Sequence, residues 1–378
     1  MKKLSPRAKS LPVYRAGDVL KIGRETILYG RNILLQTNSG FEVQHRLFVV
    51  DPWAMIAEGI HRALRPGRSR DIAHSFRRQA EDYFGAATIG REPSVRPVLL
   101  YYAFLNLSKA FAVARGNTHL EGRAYHGISS TSHPKDIARS LIRFETSSPG
   151  RPGIFQTLFQ QLDGNASVTA SNLRLRYVLP QILPGHRLWC YATKKLERFV
   201  SIEHFQIRHS APSKEIWLNV ILNKNDLDQL GMSEQRVLIQ SGLAGEFEAV
   251  SLGELIRFQQ TSTERYSIDP GEALTRILRK VRNSIWETVK IVSPYRKSYL
   301  YCCPPSEQSA RVPQMISIYV FMFFLGSITR YFPLHFEDIL NSKYGPFVET
   351  FISESPTQFL YLMASEVLGR EVSKPAIV

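Results

Sequence analysis

Pro97-Val98-Leu99-Leu100-Tyr101-Tyr102-Ala103-Phe104-Leu105-Asn106-Leu107-Ser108-Lys109-Ala110 is the stretch whose reading decides the fold of this 378-residue chain. Continued to Ala114, it is apolar on nearly every face, opens on proline, and has Gly116 placed to stop it. A helix with no polar side has nowhere to face water, so it is predicted to lie at the centre of a helical bundle. Its covering helices are predicted on both sides along the chain. Asp51-Pro52 opens the first: the carboxylate caps free amides, proline suits the first helical position, and Trp53, Ile56, Ile60 and Leu64 form one apolar stripe before Pro66-Gly67. From Arg70 to Ala87, Ile72, Phe76, Ala80, Tyr83 and Phe84 recur at helical spacing. Asp269-Pro270-Gly271-Glu272 repeats the cap-and-proline start, and Leu274, Ile277, Leu278, Val281 and Ile285 continue it. Further helices are predicted over residues 313–331, 334–340 and 356–368.

Strand signals lie elsewhere. Residues 26–36 and 41–50 are rich in β-formers, and Asn38-Ser39-Gly40 supplies a hairpin turn between them. Between about 147 and 267, residues 188–192, 199–208, 216–222 and 247–252 read as short strands. The predicted fold class is therefore α+β and predominantly helical. Residues 1–50 form an N-terminal hairpin segment, 51–145 a helical region, 146–265 an α/β insertion, and 266–378 a second helical region that packs on 51–145.

Composition narrows the function classes. Hydrophobic residues make up 44% and charged residues 21%, which is the balance of an ordered globular chain. The three cysteines, Cys190, Cys302 and Cys303, make neither a disulfide framework nor a paired metal-ligand spacing, which fits a reducing compartment. The basic first fifteen residues are followed by no apolar stretch of the signal-peptide kind, and the most apolar run, 315–328, is interrupted and too short to span a bilayer. The expectation is a cytoplasmic protein with no membrane partner. Lys and Arg outnumber Asp and Glu by 48 to 33, a formal charge of +15 that attracts polyanions. GxxxxGK[ST], GxGxxG, HExxH, CxxC and GxSxG are all absent, so no cofactor and no metal is expected.

Ala80-Glu81-Asp82-Tyr83-Phe84, the 97–110 stretch and Tyr125-His126-Gly127-Ile128 together resemble the YaaC-like family, and Phe324-Leu325-Gly326-Ser327-Ile328-Thr329-Arg330-Tyr331-Phe332-Pro333 resembles its second characteristic block. The first block, an amphipathic helix followed by a Tyr-Tyr helix and a trailing His-Gly, is also similar to the helical hairpin of HEPN domains, many of which are ribonucleases. That likeness implies an HEPN-like helical core, RNA as partner, metal-independent cleavage, a role in stress response or phage defence, and a site completed across a homodimer. HEPN ribonucleases carry Arg and His four to six residues apart, where His moves a proton and Arg stabilises phosphate charge. Arg330 and His335 have that spacing, although Pro333 between them breaks a helix, and Arg68 with His74 and Arg198 with His204 share it.

His126, between Gly122 and Gly127, reads as a loop residue returning toward the central helix, in a catalytic or a structural role. Arg330, His335 and His126 form the candidate catalytic set. On the central helix Lys109 is the oddity, because a buried ammonium needs a partner, and Asn106 beside it could line the same site. Arg62, Arg65, Arg68, Arg70, Arg77 and Arg78, with Arg276, Arg279 and Lys280 further on, are candidate phosphate grips for nucleic acid. Solvated faces of amphipathic helices have the same look. The competing expectation is a non-catalytic interaction protein that engages a protein partner.

Overall fold

The computed structural model describes residues 14–27, 29–30, 34–37, 40–89, 94–117, 120, 122, 124–133, 136–145, 151–163, 171–288 and 297–375. The α-helices in chain order are α1 (Pro52–Ala63), α2 (Arg68–Ile89), α3 (Arg96–Ala114), α4 (Ile154–Asp163), α5 (Leu175–Val178) and α6 (His186–Thr193). They continue as α7 (Lys224–Gln229), α8 (Glu234–Gln240), α9 (Gly271–Val281), α10 (Gln314–Tyr331), α11 (Pro333–Leu340) and α12 (Gly345–Leu368). The class is α+β, mostly helical. Two compact units are present: the described residues up to Val43 with Val200–Ser284, and Gln44–Phe199 with the described residues from Ile285 onward.

The helical unit is built on α3. Leu107, Ala112 and Val113 are each 2% exposed or less, on three different sides of the helix. α2 and α10 both lie along α3, and α12 packs on α1. Phe104 stacks on Phe359 of α12 with ring centroids 3.9 Å apart. α10 is apolar all round like α3, with Met315 to Leu325 buried throughout. The two meet closely at Gly326, where an added Cβ would come within 3.1 Å of both the Pro97 carbonyl oxygen and the Tyr101 Cβ. Gly326→Val is therefore expected to cost about 1–3 kcal/mol through overpacking, measured as a lower urea midpoint with an unchanged slope. An unchanged midpoint would show that the contact is looser than this.

α12 runs through Pro356, where a helix start was expected. Proline inside a helix costs about 3 kcal/mol, and the buried Phe347, Val348, Phe351 and Ile352 on its N-terminal side hold that half in the core regardless. Residues 188–192, expected as a strand, lie in α6. His186, Trp189 and Cys190 sit on one buried helical face while Tyr191 is 86% exposed, a period that an eight-residue helix displays only weakly in sequence.

The helical unit also holds a three-stranded antiparallel sheet of Ile128–Thr131, Leu141–Phe144 and Ser171–Arg174, with Ile142 opposite both Ser130 and Leu173. The described residues between 151 and 199 thus divide from the rest of the expected insertion and belong with the helices. The other unit is an antiparallel sheet in the order Asp18–Val19, His204–Ser210, Glu215–Asn223, Leu255–Gln260, Phe247–Leu252. Ile216, Leu218, Val220 and Leu222 are fully buried and alternate along the central strand, and α9 packs on that strand. α9, expected in the C-terminal helical region, therefore belongs to the sheet unit. Leu274, Ile277 and Val281 are its buried stripe, while Ile285, counted in the same period, has passed into the strand Ile285–Glu287.

The expected hairpin is present as Leu34–Thr37 paired with Gly40–Val43, with Gln36 opposite Phe41. Its turn residues Asn38 and Ser39 lie outside the described residues. Leu47–Phe48 leaves the hairpin and pairs in parallel with Val372–Ser373.

Candidate functional site

The adjacent tyrosines of α3 point to different neighbours. Tyr101 is 3% exposed, with its ring 5.3 Å from Phe323 and 6.0 Å from Tyr319, both on α10. Tyr102 is half-buried and stacks on Tyr83 of α2 at 5.5 Å. The residues before the Ile128–Thr131 strand bring His126 to this pair, and the Tyr101 hydroxyl shares a 2.5 Å hydrogen bond with His126 Nδ1.

Local backbone holds that histidine in place. Gly127 has φ +74°, a left-handed conformation that glycine adopts without strain, and a Cβ there would run into the Gln156 side chain. Gln156 Nε2 donates to the Gly127 carbonyl oxygen at 2.6 Å and to that of Glu145. The Phe155 amide donates to the His126 carbonyl oxygen at 3.2 Å. Nε2 of His126 carries no hydrogen bond among the described residues.

Two cations flank the imidazole. Arg330, in the last turn of α10, donates from Nη1 to the Tyr102 hydroxyl at 2.7 Å and lies over the Tyr331 ring at 4.3 Å. Lys109, two turns along α3, reaches Asn106 Oδ1 at 3.4 Å and lies over the Phe76 ring at 5.2 Å. Burial pulls the Lys109 ammonium below its ordinary range. Burial, then Lys109 and Arg330, hold the His126 imidazole below its ordinary value, and Glu145 opposes them. His126 is thus neutral at pH 7. Burial and the neighbouring Tyr319 push Tyr101 far above the usual phenol range, so it stays a neutral hydroxyl.

Of the expected catalytic set, the fold gathers His126 and Arg330 into one cluster and puts His335 on a different helix. α10 ends at Tyr331, Phe332 leaves helical geometry at φ −140° and ψ 61°, and Pro333 starts α11, on which His335 is half-buried. Tyr101, Tyr102, Asn106 and Lys109 join the cluster. Tyr83 and Glu145 do so without a sequence signal, since Tyr83 reads as part of an ordinary apolar stripe and Glu145 follows a strand.

The candidate phosphate grips differ in how they are neutralised. Arg276 pairs with Glu264 at 2.9 Å and Lys280 with the same carboxylate at 3.0 Å, and hydrogen bonds from both hold Glu264 below the usual carboxylate range. Arg279 lies in the last turn of α9 beside them. In the first group Arg62 pairs with Glu58 at 2.6 Å and Arg77 with Glu81 at 2.7 Å. Arg65, Arg70 and Arg78 have no carboxylate partner among the described residues, and Arg68 begins α2.

A second constellation looks catalytic and is not. Cys190 Sγ lies 3.4 Å from His186 Nε2, the layout of a thiol–imidazole pair. Nε2, however, accepts the Arg198 amide at 2.9 Å while Nδ1 donates to the Pro180 carbonyl oxygen at 2.8 Å, so both ring nitrogens are committed to backbone. Burial, then Glu197, pushes the thiol up to about 11, and it remains protonated.

Among the described residues no three His, Cys, Asp or Glu side chains gather to hold a metal ion. One helix among them, Arg96–Ala114, is long and apolar enough to cross a membrane, and 78% of its apolar window is buried inside the protein. No curated protein and no solved structure matches the chain. A family model described as YaaC-like Protein matches residues 42–367, a span that takes in the central helix, His126, Arg330 and the sheet between them. The chain belongs to the YaaC-like protein family.

Proposed function

We propose that the helical unit is an HEPN-like RNA-binding domain with metal-independent endoribonuclease activity, acting in the cytoplasm in stress response or phage defence. The observation that carries this reading is a neutral imidazole, His126, hydrogen-bonded through Nδ1 to Tyr101 and flanked by two cations, Arg330 and Lys109. In the tautomer whose Nδ1–H donates to the Tyr101 oxygen, Nε2 is a free base. It takes the proton from an RNA 2′-hydroxyl as that oxygen bonds to the adjacent phosphorus. The bond from phosphorus to the 5′-oxygen breaks, and the leaving oxygen takes a proton from water. Arg330 and Lys109 stabilise the negative charge that grows on the phosphoryl oxygens. The products are a 2′,3′-cyclic phosphate and a 5′-hydroxyl end.

Incubating single-stranded RNA with the protein in excess chelator tests this directly: cleavage with those ends is expected, and intact RNA would overturn the assignment. Binding should also be salt-sensitive. If Arg65, Arg70 and Arg78 each neutralise one phosphate, the logarithm of affinity falls against the logarithm of salt with a slope of roughly −2, from about −0.7 per contact on a single strand. A flat dependence removes the charge argument.

The alternative reading is a non-catalytic interaction protein, and one observation favours it. Tyr331, Phe332 and Leu334, beside Arg330, are 63%, 56% and 76% exposed. Under the HEPN-like reading a second copy of the chain covers this patch and the site is completed at the dimer interface. A monomer at micromolar concentration that leaves RNA intact would favour the interaction protein.

A further inference from the structure

The turn at Pro66-Gly67 folds His61, in the last turn of α1, back against His74 of α2, with the two imidazole centroids 4.5 Å apart. Arg70, His74, Arg77 and Arg78 fall on one stripe of α2 at the spacing of successive turns. Nε2 of His74 is buried and has no hydrogen bond among the described residues. Burial holds this imidazole below its ordinary value, and His61, Arg77, Arg78 and Arg70 act in the same direction.

The corner is short of counter-charge. Glu58 is taken by Arg62 and Glu81 by Arg77, Asp71 lies exposed in the first turn of α2, and Arg65, Arg70 and Arg78 are in no ion pair among the described residues. α3, which packs on α2, brings Lys109 over the Phe76 ring, and α12, which packs on α1, brings Glu366 next to the Val367 that touches Gly59. Neither is among the groups acting on His74. Two imidazoles this close repel when both are charged, and an anion bound against the pair lowers that repulsion.

We propose that His61, His74, Arg70 and Arg78 form a binding site for a tetrahedral oxyanion, the phosphate group, which the two histidines hold in their protonated forms. Binding therefore takes up protons, and affinity rises as pH falls through the histidine range. The arginines supply charge at every pH, and the histidine pair adds the pH dependence. That the phosphate belongs to an RNA backbone rests on the function proposed above, whereas the site itself does not.

The test uses the full chain carrying His126→Ala, so that any cleavage does not consume the probe. The probes are sulfate and a short RNA oligonucleotide, whose charges are constant between pH 5.5 and 7.5. Sulfate affinity is expected to rise about tenfold or more from pH 7.5 to 5.5, since each bound proton contributes up to tenfold per pH unit. In the His61→Gln/His74→Gln variant this gain should shrink to about twofold. Arg70→Ala/Arg78→Ala should weaken binding at both pH values and leave the gain in place, which separates loss of charge from loss of the switch. Circular dichroism confirms that each variant is folded. The same gain for RNA names the backbone as the source of the phosphate, and a gain confined to sulfate names a free anion. Equal sulfate affinity at the two pH values, or a gain that survives the double histidine change, overturns the proposal. Because the measured quantity is binding, that failure is distinct from failure of the nuclease reading.

Discussion

His126→Ala is expected to lower RNA cleavage on the order of 10²-fold or more, with the fold intact. The ring is half-buried at the edge of the tyrosine cluster, and its removal takes away a proton acceptor and one hydrogen bond to Tyr101 without opening the bundle core. Arg330→Ala is expected to show a loss of similar order through charge stabilisation, because its guanidinium is exposed and rests on the Tyr102 hydroxyl and the Tyr331 ring. The two variants differ in their pH profiles. Burial, Lys109 and Arg330 hold the His126 imidazole down, so the base is available in the wild type below the ordinary histidine range, and the rate levels off at correspondingly low pH. Without Arg330 one depressing charge is gone, and the acid limb should move to higher pH. His335→Ala is the informative control: a loss as large as that of Arg330→Ala, with His126→Ala active, would shift the site to the α10–α11 junction and overturn the present assignment.

Acid is expected to weaken the helical unit between pH 6.5 and 4 through a single buried ring. His186 is pushed down to about 4 by burial, with Arg198 and Arg187 adding to the effect and the Pro180 carbonyl opposing it. In the unfolded chain the same ring titrates near 6.5. Across that window the unfolded state takes up a proton that the folded state refuses, so stability is complete above pH 6.5 and falls as the pH is lowered toward 4. The full change is roughly 3 kcal/mol, at about 1.4 kcal/mol for each pH unit of difference. Urea unfolding at pH 7 and pH 5 should therefore differ by about 2 kcal/mol, and His186→Gln should remove most of that difference. The variant itself should lose about 1–3 kcal/mol at pH 7, since the Arg198 amide and the Pro180 carbonyl lose the ring that satisfies them both. A wild type equally stable at both pH values would show that the ring is protonated in the folded protein.

The mostly helical class, the central place of α3 and the starts of α1 and α9 are written in the sequence, because each depends on residues within a turn or two of one another. An apolar run with no polar face must be buried whatever surrounds it, and Asp51 caps α1 through its own neighbour, accepting the Trp53 amide at 2.9 Å. The family blocks are equally local. What tertiary structure decided is whatever depends on partners far away along the chain. Eight residues show too little of a helical period for α6 to be told from a strand. α9 reads the same whether its stripe meets helices or a sheet, and only the packed chain assigns it to the strand Glu215–Asn223. The arginines of α2 and α9 look alike in sequence, yet Glu264 neutralises Arg276 and Lys280 across a fold while Arg70 and Arg78 have no carboxylate partner among the described residues. The candidate site is the extreme case. Tyr101 meets His126 across 25 positions and Tyr102 meets Arg330 across 228, while His335, only five residues from Arg330, is carried onto another helix by Pro333. Sequence proximity sets who shares a helix, and the packing of α10 on α3, made close by the bare Cα of Gly326, sets who shares a site.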